Sequence, residues 1–201
     1  MPVWMAETET KKGAFMENYN YLIRRKVLCF FGAQFHIYDA NQNLIGFCKQ
    51  KAFKLKEDIR IYTDESCARE LVVILARNVI DFSACYDVID PVNGTLLGSW
   101  KRQGWNSLVR DSWEVYDPYG VKIAELSEDS MGLALVRRLL TNLVPQDFEL
   151  RNANGLQTVY KQCFNPFIYK LQVTLQPNCN MHPYMILAGG VLLAAIEGRQ
   201  S

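Results

Sequence analysis

Residues 184 to 196, Tyr-Met-Ile-Leu-Ala-Gly-Gly-Val-Leu-Leu-Ala-Ala-Ile, form an unbroken apolar run near the end of the sequence. A bilayer crossing needs about 20 such residues, and the run supplies about two-thirds of that length. Pro183 precedes it and Glu197-Gly198-Arg199 follow, as start and stop signals of a helix do. The reading is a buried helix at about 183–197, not a membrane anchor. A helix that is apolar on every side must be surrounded by protein, so the chain in front of it is expected to wrap around it. Met185, Ile186, Leu187, Gly189, Gly190, Val191, Leu192, Leu193 and Ile196 are its expected core residues. Gly189-Gly190 lies inside this run, where small residues allow close packing, and is no phosphate loop.

The preceding chain repeats one design four times. Phe35-His-Ile-Tyr-Asp39, Tyr86-Asp-Val-Ile-Asp90, Trp113-Glu-Val-Tyr-Asp117 and Phe148-Glu-Leu-Arg-Asn152 each alternate in polarity and end in Asp or Asn. Each is followed within a few residues by Asn or Gly (Asn41 and Asn43, Asn93-Gly94, Gly120, Asn154-Gly155), residues that tolerate the positive φ of hairpin turns. A second alternating stretch comes next. The starts are unevenly spaced, which favours duplication within a closed sheet over a solenoid or propeller. Further strands are predicted at 22–31, 52–62, 79–84, 107–110 and 167–175. Helical spacing of apolar residues, behind capping residues, predicts helices over 65–78 and 130–142. The total is about a dozen strands and three helices. Residues 1–20 read as a loosely held arm and 21–201 as a single barrel domain.

Composition narrows the function. At 49% hydrophobic and 21% charged the chain is globular, and its net charge of +1 gives no field that would draw nucleic acid. Its six cysteines are scattered without a C-x-x-C pair, which removes metal-ligand spacing and suits reduced thiols in a cytoplasmic protein. No secretory signal pattern opens the sequence.

Asp39-x-Asn41-x-Asn43 imitates an EF-hand opening, but Leu44 stands at the sixth position and Gln50 at the twelfth, so an Asx-stabilised turn is the reading. His36, alternating with Phe35 and Ile37, is expected to face solvent or a polar partner, and His182 to help start the last helix. Cys67, in the first turn of the helix predicted over 65–78, is the best candidate for a reactive thiol, although a core-facing role is the simpler one. With two histidines there are few ways to assemble a nucleophile, a base and an orienting group, so no enzyme activity, cofactor or metal is expected. The basic residues carry more weight: Arg24-Arg25-Lys26, then Lys49, Lys51, Lys54 and Lys56, then Lys101-Arg102 and Arg137-Arg138. Strand alternation would bring several onto one face attractive to anionic lipid headgroups. Trp100, Trp105 and Trp113 lie near the Lys101-Arg102 pair, a mixture seen at membrane interfaces and, more commonly, in barrel packing.

The hairpins, the segment Arg137-Arg-Leu-Leu, the segment Gln162-Cys-Phe-Asn-Pro-Phe167 and the tail Leu187 to Gln200 together resemble the tubby C-terminal-like superfamily, in its phospholipid scramblase and LURP-one-related branch. The resemblance covers roughly residues 20–200. It implies a mainly β fold, a 12-stranded antiparallel closed barrel enclosing the C-terminal hydrophobic helix. It also implies a role at phospholipid membranes or as an adaptor, without enzymatic chemistry. Three features depart from it, one being that the paired basic residues with which tubby proteins hold phosphoinositide headgroups have no placeable counterpart in this sequence. The segment Gln176 to His182 has no carboxylate where calcium-responsive scramblases are acidic, which argues against calcium there. The proline-rich, cysteine-clustered N-terminus of animal scramblases is also missing. The expected function is peripheral binding of anionic phospholipid or signalling adaptation by a cytoplasmic, non-enzymatic barrel. A protein scaffold without lipid binding and a membrane-inserted phospholipid translocator are the alternatives.

Overall fold

The computed structural model describes residues 20–26, 33–50, 58–78, 84–103, 112–128, 146–163 and 168–196. They form β1 (Asn20–Arg25), β2 (Ala33–Tyr38), β3 (Leu44–Gln50), β4 (Ile59–Tyr62), β5 (Glu70–Asn78), β6 (Cys85–Asp90), β7 (Thr95–Gln103), β8 (Ser112–Tyr116), β9 (Lys122–Glu128), β10 (Asp147–Asn152), β11 (Gly155–Cys163), β12 (Lys170–Leu175) and α1 (Pro183–Ile196). Each strand pairs with its sequence neighbour, and β1 pairs antiparallel with β12 to close a twelve-strand barrel. Closure leaves no free sheet edge.

Four hairpin turns share the chemistry that the repeats predict. Asp39 Oδ1 accepts the N–H groups of Asn41 and Asn43 (both 2.8 Å), and Asp90 Oδ1 accepts that of Val92 (3.0 Å). Asp117 Oδ1 accepts those of Tyr119 (2.9 Å) and Val121 (2.8 Å), and Asn152 Oδ1 that of Asn154 (2.8 Å). The left-handed position falls on Gly94, Gly120 and Gly155 at φ 63°, 81° and 95°. In the first turn it falls on Gln42 (φ 66°), not on either asparagine.

The helix predicted over 65–78 is a turn followed by β5. Val72, Val73 and Ile74 are β-branched and form a continuous apolar run that fits either period. Pairing decides it: Ile74 lies opposite Ile59 on one side and Val88 on the other. Cys67 has φ 55° and cannot occupy a helical turn; Asp64 instead caps a tight bend, its Oδ1 accepting the Ser66 N–H at 2.9 Å. Of the strands expected at 22–31, 52–62 and 167–175, the described residues show β1, β4 and β12, while residues 27–31, 52–57 and 167 lie outside the described residues. The helix over 130–142, the strand over 107–110 and residues 79–83 lie outside the described residues.

Helix α1 fills the barrel. Met185, Ile186, Leu187, Val191, Leu192 and Leu193 are at most 2% exposed, and the helix touches β1 and β12 as well as β5, β6 and β7. His182 caps it: its Nδ1 accepts the Tyr184 N–H (3.2 Å) and its carbonyl those of Met185 and Ile186. Trp100 Nε1–H donates to the Met185 carbonyl (3.1 Å) and the Tyr160 hydroxyl to that of Ile186 (2.9 Å), fixing the first turns to β7 and β11. A Cβ on Gly189 would meet the Trp100 ring at 2.5 Å and Tyr160 Oη at 3.0 Å; one on Gly190 would meet Ile23 Cδ1 at 2.6 Å. The glycines let the helix lie against the wall.

The hairpin turns after β2, β4, β6, β8 and β10 all lie at one end of the barrel, and the chain enters α1 from that end. Amides hold this entry: Asn180 N–H donates to Gln157 Oε1 (2.9 Å), and Asn152 Nδ2 to Asn180 Oδ1 (2.9 Å).

Two substitutions test this account. Gly189→Ala is expected to destabilise the protein by about 1–3 kcal/mol, because the indole it meets is locked by its own hydrogen bond; urea denaturation measures it. Gln42→Gly, at an exposed left-handed position, is expected to stabilise by about 0.5–1 kcal/mol in the same assay. An unchanged midpoint in either case contradicts the corresponding geometry.

Candidate functional site

With the lumen filled by α1, binding falls to the outer wall, and strand parity decides which basic residues reach it. Adjacent residues on a strand point to opposite faces. Arg24 is exposed, whereas Arg25 shares the parity of Tyr21 and Ile23, which are buried. Lys101 points outward, whereas Arg102 shares the parity of the buried Trp100 and has a buried Nε. Each adjacent pair therefore gives the surface one cation, not two. Lys26 is exposed and lies 3.8 Å from Glu65. Lys49 is exposed near the end of β3. Lys51, Lys54, Lys56, Arg137 and Arg138 lie outside the described residues, as does Trp105. Trp100 and Trp113 are core residues, each 1% exposed.

The barrel adds a partner that the sequence does not show beside Arg24. Lys170 on β12 stands directly opposite it in the ladder. Like charges in that position destabilise a sheet, and neither residue makes an ion pair or side-chain hydrogen bond among the described residues. Across β1, Arg24 faces His36 on β2. That histidine finds a polar partner, donating from Nε2 to Glu65 Oε1 at 2.5 Å. The bond from His36 and the charge of Lys26 hold the Glu65 carboxyl below its ordinary range. Lys49 carries no partner among the described residues and lies two strands from β1. Lys101 does not join this group, since β7 is six places from β1 in the ring of twelve strands.

Lys101 instead borders a groove of about 680 Å3 on the outside of β5 to β8, with Arg77, Ser99, Tyr116, Asp117 and Tyr119. Glu114 is its cross-strand neighbour, but that carboxylate is occupied. It accepts from Lys122 Nζ (2.8 Å), from the Tyr116 hydroxyl (2.6 Å) and from Gln103 Nε2. These bonds, Lys122 first, hold the Glu114 carboxyl down, and the same contact pushes Lys122 up to about 12. Arg77 is held by Asp87 through Nε (3.0 Å) and a terminal nitrogen (2.5 Å). Lys101 is left with no partner among the described residues. Ser99 is 6% exposed, and its hydroxyl likewise has none. At the other end, Tyr119 is 91% exposed. The sequence marks this groove only by an aromatic residue in a Pro-Tyr-Gly turn, a place where burial cannot be its purpose.

Among the described residues, no three His, Cys, Asp or Glu side chains are grouped to hold a metal ion. Cys48 is fully enclosed, and burial, with the nearby Cys67, pushes its thiol up to about 12. None of the described helices is long and apolar enough to cross a membrane.

No family model and no curated protein matches the chain. Its fold is similar to the X-ray structure of the protein AT5G01750 from Arabidopsis thaliana, with a TM-score of 0.50 and 16% identity over 89% of this chain and 93% of that one. At that identity the likeness speaks for the fold alone.

The Glu114 cluster gives a pH dependence with a definite sign. A carboxyl held lower in the folded than in the unfolded chain contributes stability that is complete above its ordinary value of 4.5 and is lost as pH falls through its folded value. Glu114→Gln is therefore expected to flatten the acid limb of the stability curve below about pH 4.5. Thermal melts from pH 3 to pH 7, as an approximate range, should show the variant's deficit narrowing as the pH falls; a deficit constant with pH contradicts the assignment.

Proposed function

We propose that the protein is a non-enzymatic barrel that associates peripherally with anionic phospholipid surfaces, through the outer wall that runs from β12 across β1 and β2 to β3. The observation that carries this reading is the juxtaposition of Arg24 and Lys170, two cations opposite one another without an ion pair among the described residues. A phosphate between them would turn a repulsive contact into two charge-assisted ones. Lys49 extends the same wall. Each such charge contributes about 1 kcal/mol near an anionic membrane.

Two further points support it. The lumen is occupied, so a lipid cannot be carried inside as a ligand is in open barrels. The sequence resembles the scramblase and LURP-one-related branch, which suits a cytoplasmic protein working at a membrane face as a lipid-bound adaptor. Translocation by insertion of α1 fits less well. Withdrawal would break the bonds from Trp100 and Tyr160 and leave an empty apolar lumen.

Flotation with liposomes tests the reading. Binding to phosphatidylglycerol vesicles, weak binding to neutral ones and loss at high salt are the expected results, with no effect of calcium. The triple variant Arg24→Glu, Lys49→Glu, Lys170→Glu should bind at least about a hundredfold more weakly. Absence of binding at low salt, or binding unaffected by the triple variant, rejects the proposal and favours a protein scaffold.

A further inference from the structure

We infer that the groove beside β7 is a binding site for a small zwitterion carrying a phosphate at one end and an ammonium at the other. The site is separate from the Arg24 and Lys170 wall, across the barrel from it. Its two ends have opposite chemistry. Ser99 and Lys101 are two residues apart on β7 and so share its outer face. One offers a hydroxyl that is nearly enclosed yet unbonded, the other an ammonium without a partner among the described residues. Both are donors to an oxyanion. Arg77 borders the same groove and keeps Asp87, which lies opposite Ser99, neutralised.

The other end is made by the turn after β8. Asp117 Oδ1 is committed to the N–H groups of Tyr119 and Val121, while Oδ2 accepts no bond among the described residues. An ammonium is what this free oxygen fits. The exposed Tyr119 ring, which also lines the groove, gives the same group an aromatic face. A plain anion would meet Asp117 as a repulsive charge. A plain cation would meet Lys101. The groove has the size of a small-molecule site, and this pattern selects a molecule with both charges.

Such a molecule is either soluble, as phosphoethanolamine is, or the headgroup of a zwitterionic phospholipid. Calorimetric titration and amide chemical-shift mapping with O-phosphoethanolamine, inorganic phosphate and ethanolamine form the soluble arm. Flotation of the triple variant at Arg24, Lys49 and Lys170 with phosphatidylethanolamine-rich neutral vesicles forms the lipid arm. Binding in either arm supports the site and identifies its source. In the arm that binds, Lys101→Gln and Asp117→Asn should each weaken it at least about tenfold. Asparagine preserves the turn, because its Oδ1 still accepts the two N–H groups, so that loss is not one of folding. Binding of phosphate alone as tight as that of phosphoethanolamine, indifference to Asp117→Asn, or no binding in either arm overturns the inference. None of these outcomes bears on the anionic-surface reading, which rests on a different wall.

Discussion

A helix without a polar stripe is stable in water only if protein supplies every surface it touches, and here the supplier depends equally on the helix. The twelve-strand barrel encloses a space that its own inward side chains do not close. Helix α1 fills that space, and two wall residues bond to its backbone. Trp100 and Tyr160 donate to the carbonyls of Met185 and Ile186, so their polar atoms are satisfied inside an otherwise apolar interior. The indole and the phenol occupy the room that side chains at Gly189 would need. Wall and helix are therefore specified together.

This dependence explains which parts of the fold were legible in the sequence. The turns were, because their determinants are local: one Asp or Asn, a glycine, and a few residues between. The helix was, because only one arrangement tolerates thirteen successive apolar residues of this kind between Pro183 and Glu197. The segment 65–78 was misread as a helix because its apolar residues are contiguous, and contiguous residues satisfy both periods. Its β-branched centre and its two ladder partners settle it as β5, and the partners lie elsewhere in the chain. Gln42 shows the limit of turn chemistry as well. Once Asp39 has bonded both Asn41 and Asn43, the left-handed residue is whichever one stands between them.

The candidate sites were less legible, for two physical reasons. Neighbouring basic residues look like a patch in a sequence, but on a strand they separate to opposite faces, as Arg24 does from Arg25 and Lys101 from Arg102. Register, moreover, is a property of the closed sheet. Lys170 meets Arg24 only because β12 returns to β1, and nothing near either residue foretells it. The groove depends on register in the same way. Lys101 has no partner among the described residues because Gln103, Tyr116 and Lys122 have taken Glu114.

The placement of the two walls constrains how both could operate. β1 and β7 are half a circuit apart, so a flat membrane lying against Arg24, Lys49 and Lys170 leaves the groove facing away from it. A headgroup of that same membrane could not then reach Lys101, and the groove's occupant would have to arrive from solution. For both walls to meet lipid, the barrel would have to stand on its rim. Arg24, Lys49, Lys101 and Lys170 all lie toward the end away from the short turns, which is the end such a posture would present. Tyr119 argues against that posture as the groove's own way of binding. It sits in a turn at the opposite end, so the site closes on the side remote from the rim. On geometry alone, a membrane-facing β1 wall and a solvent-facing groove are the compatible pair.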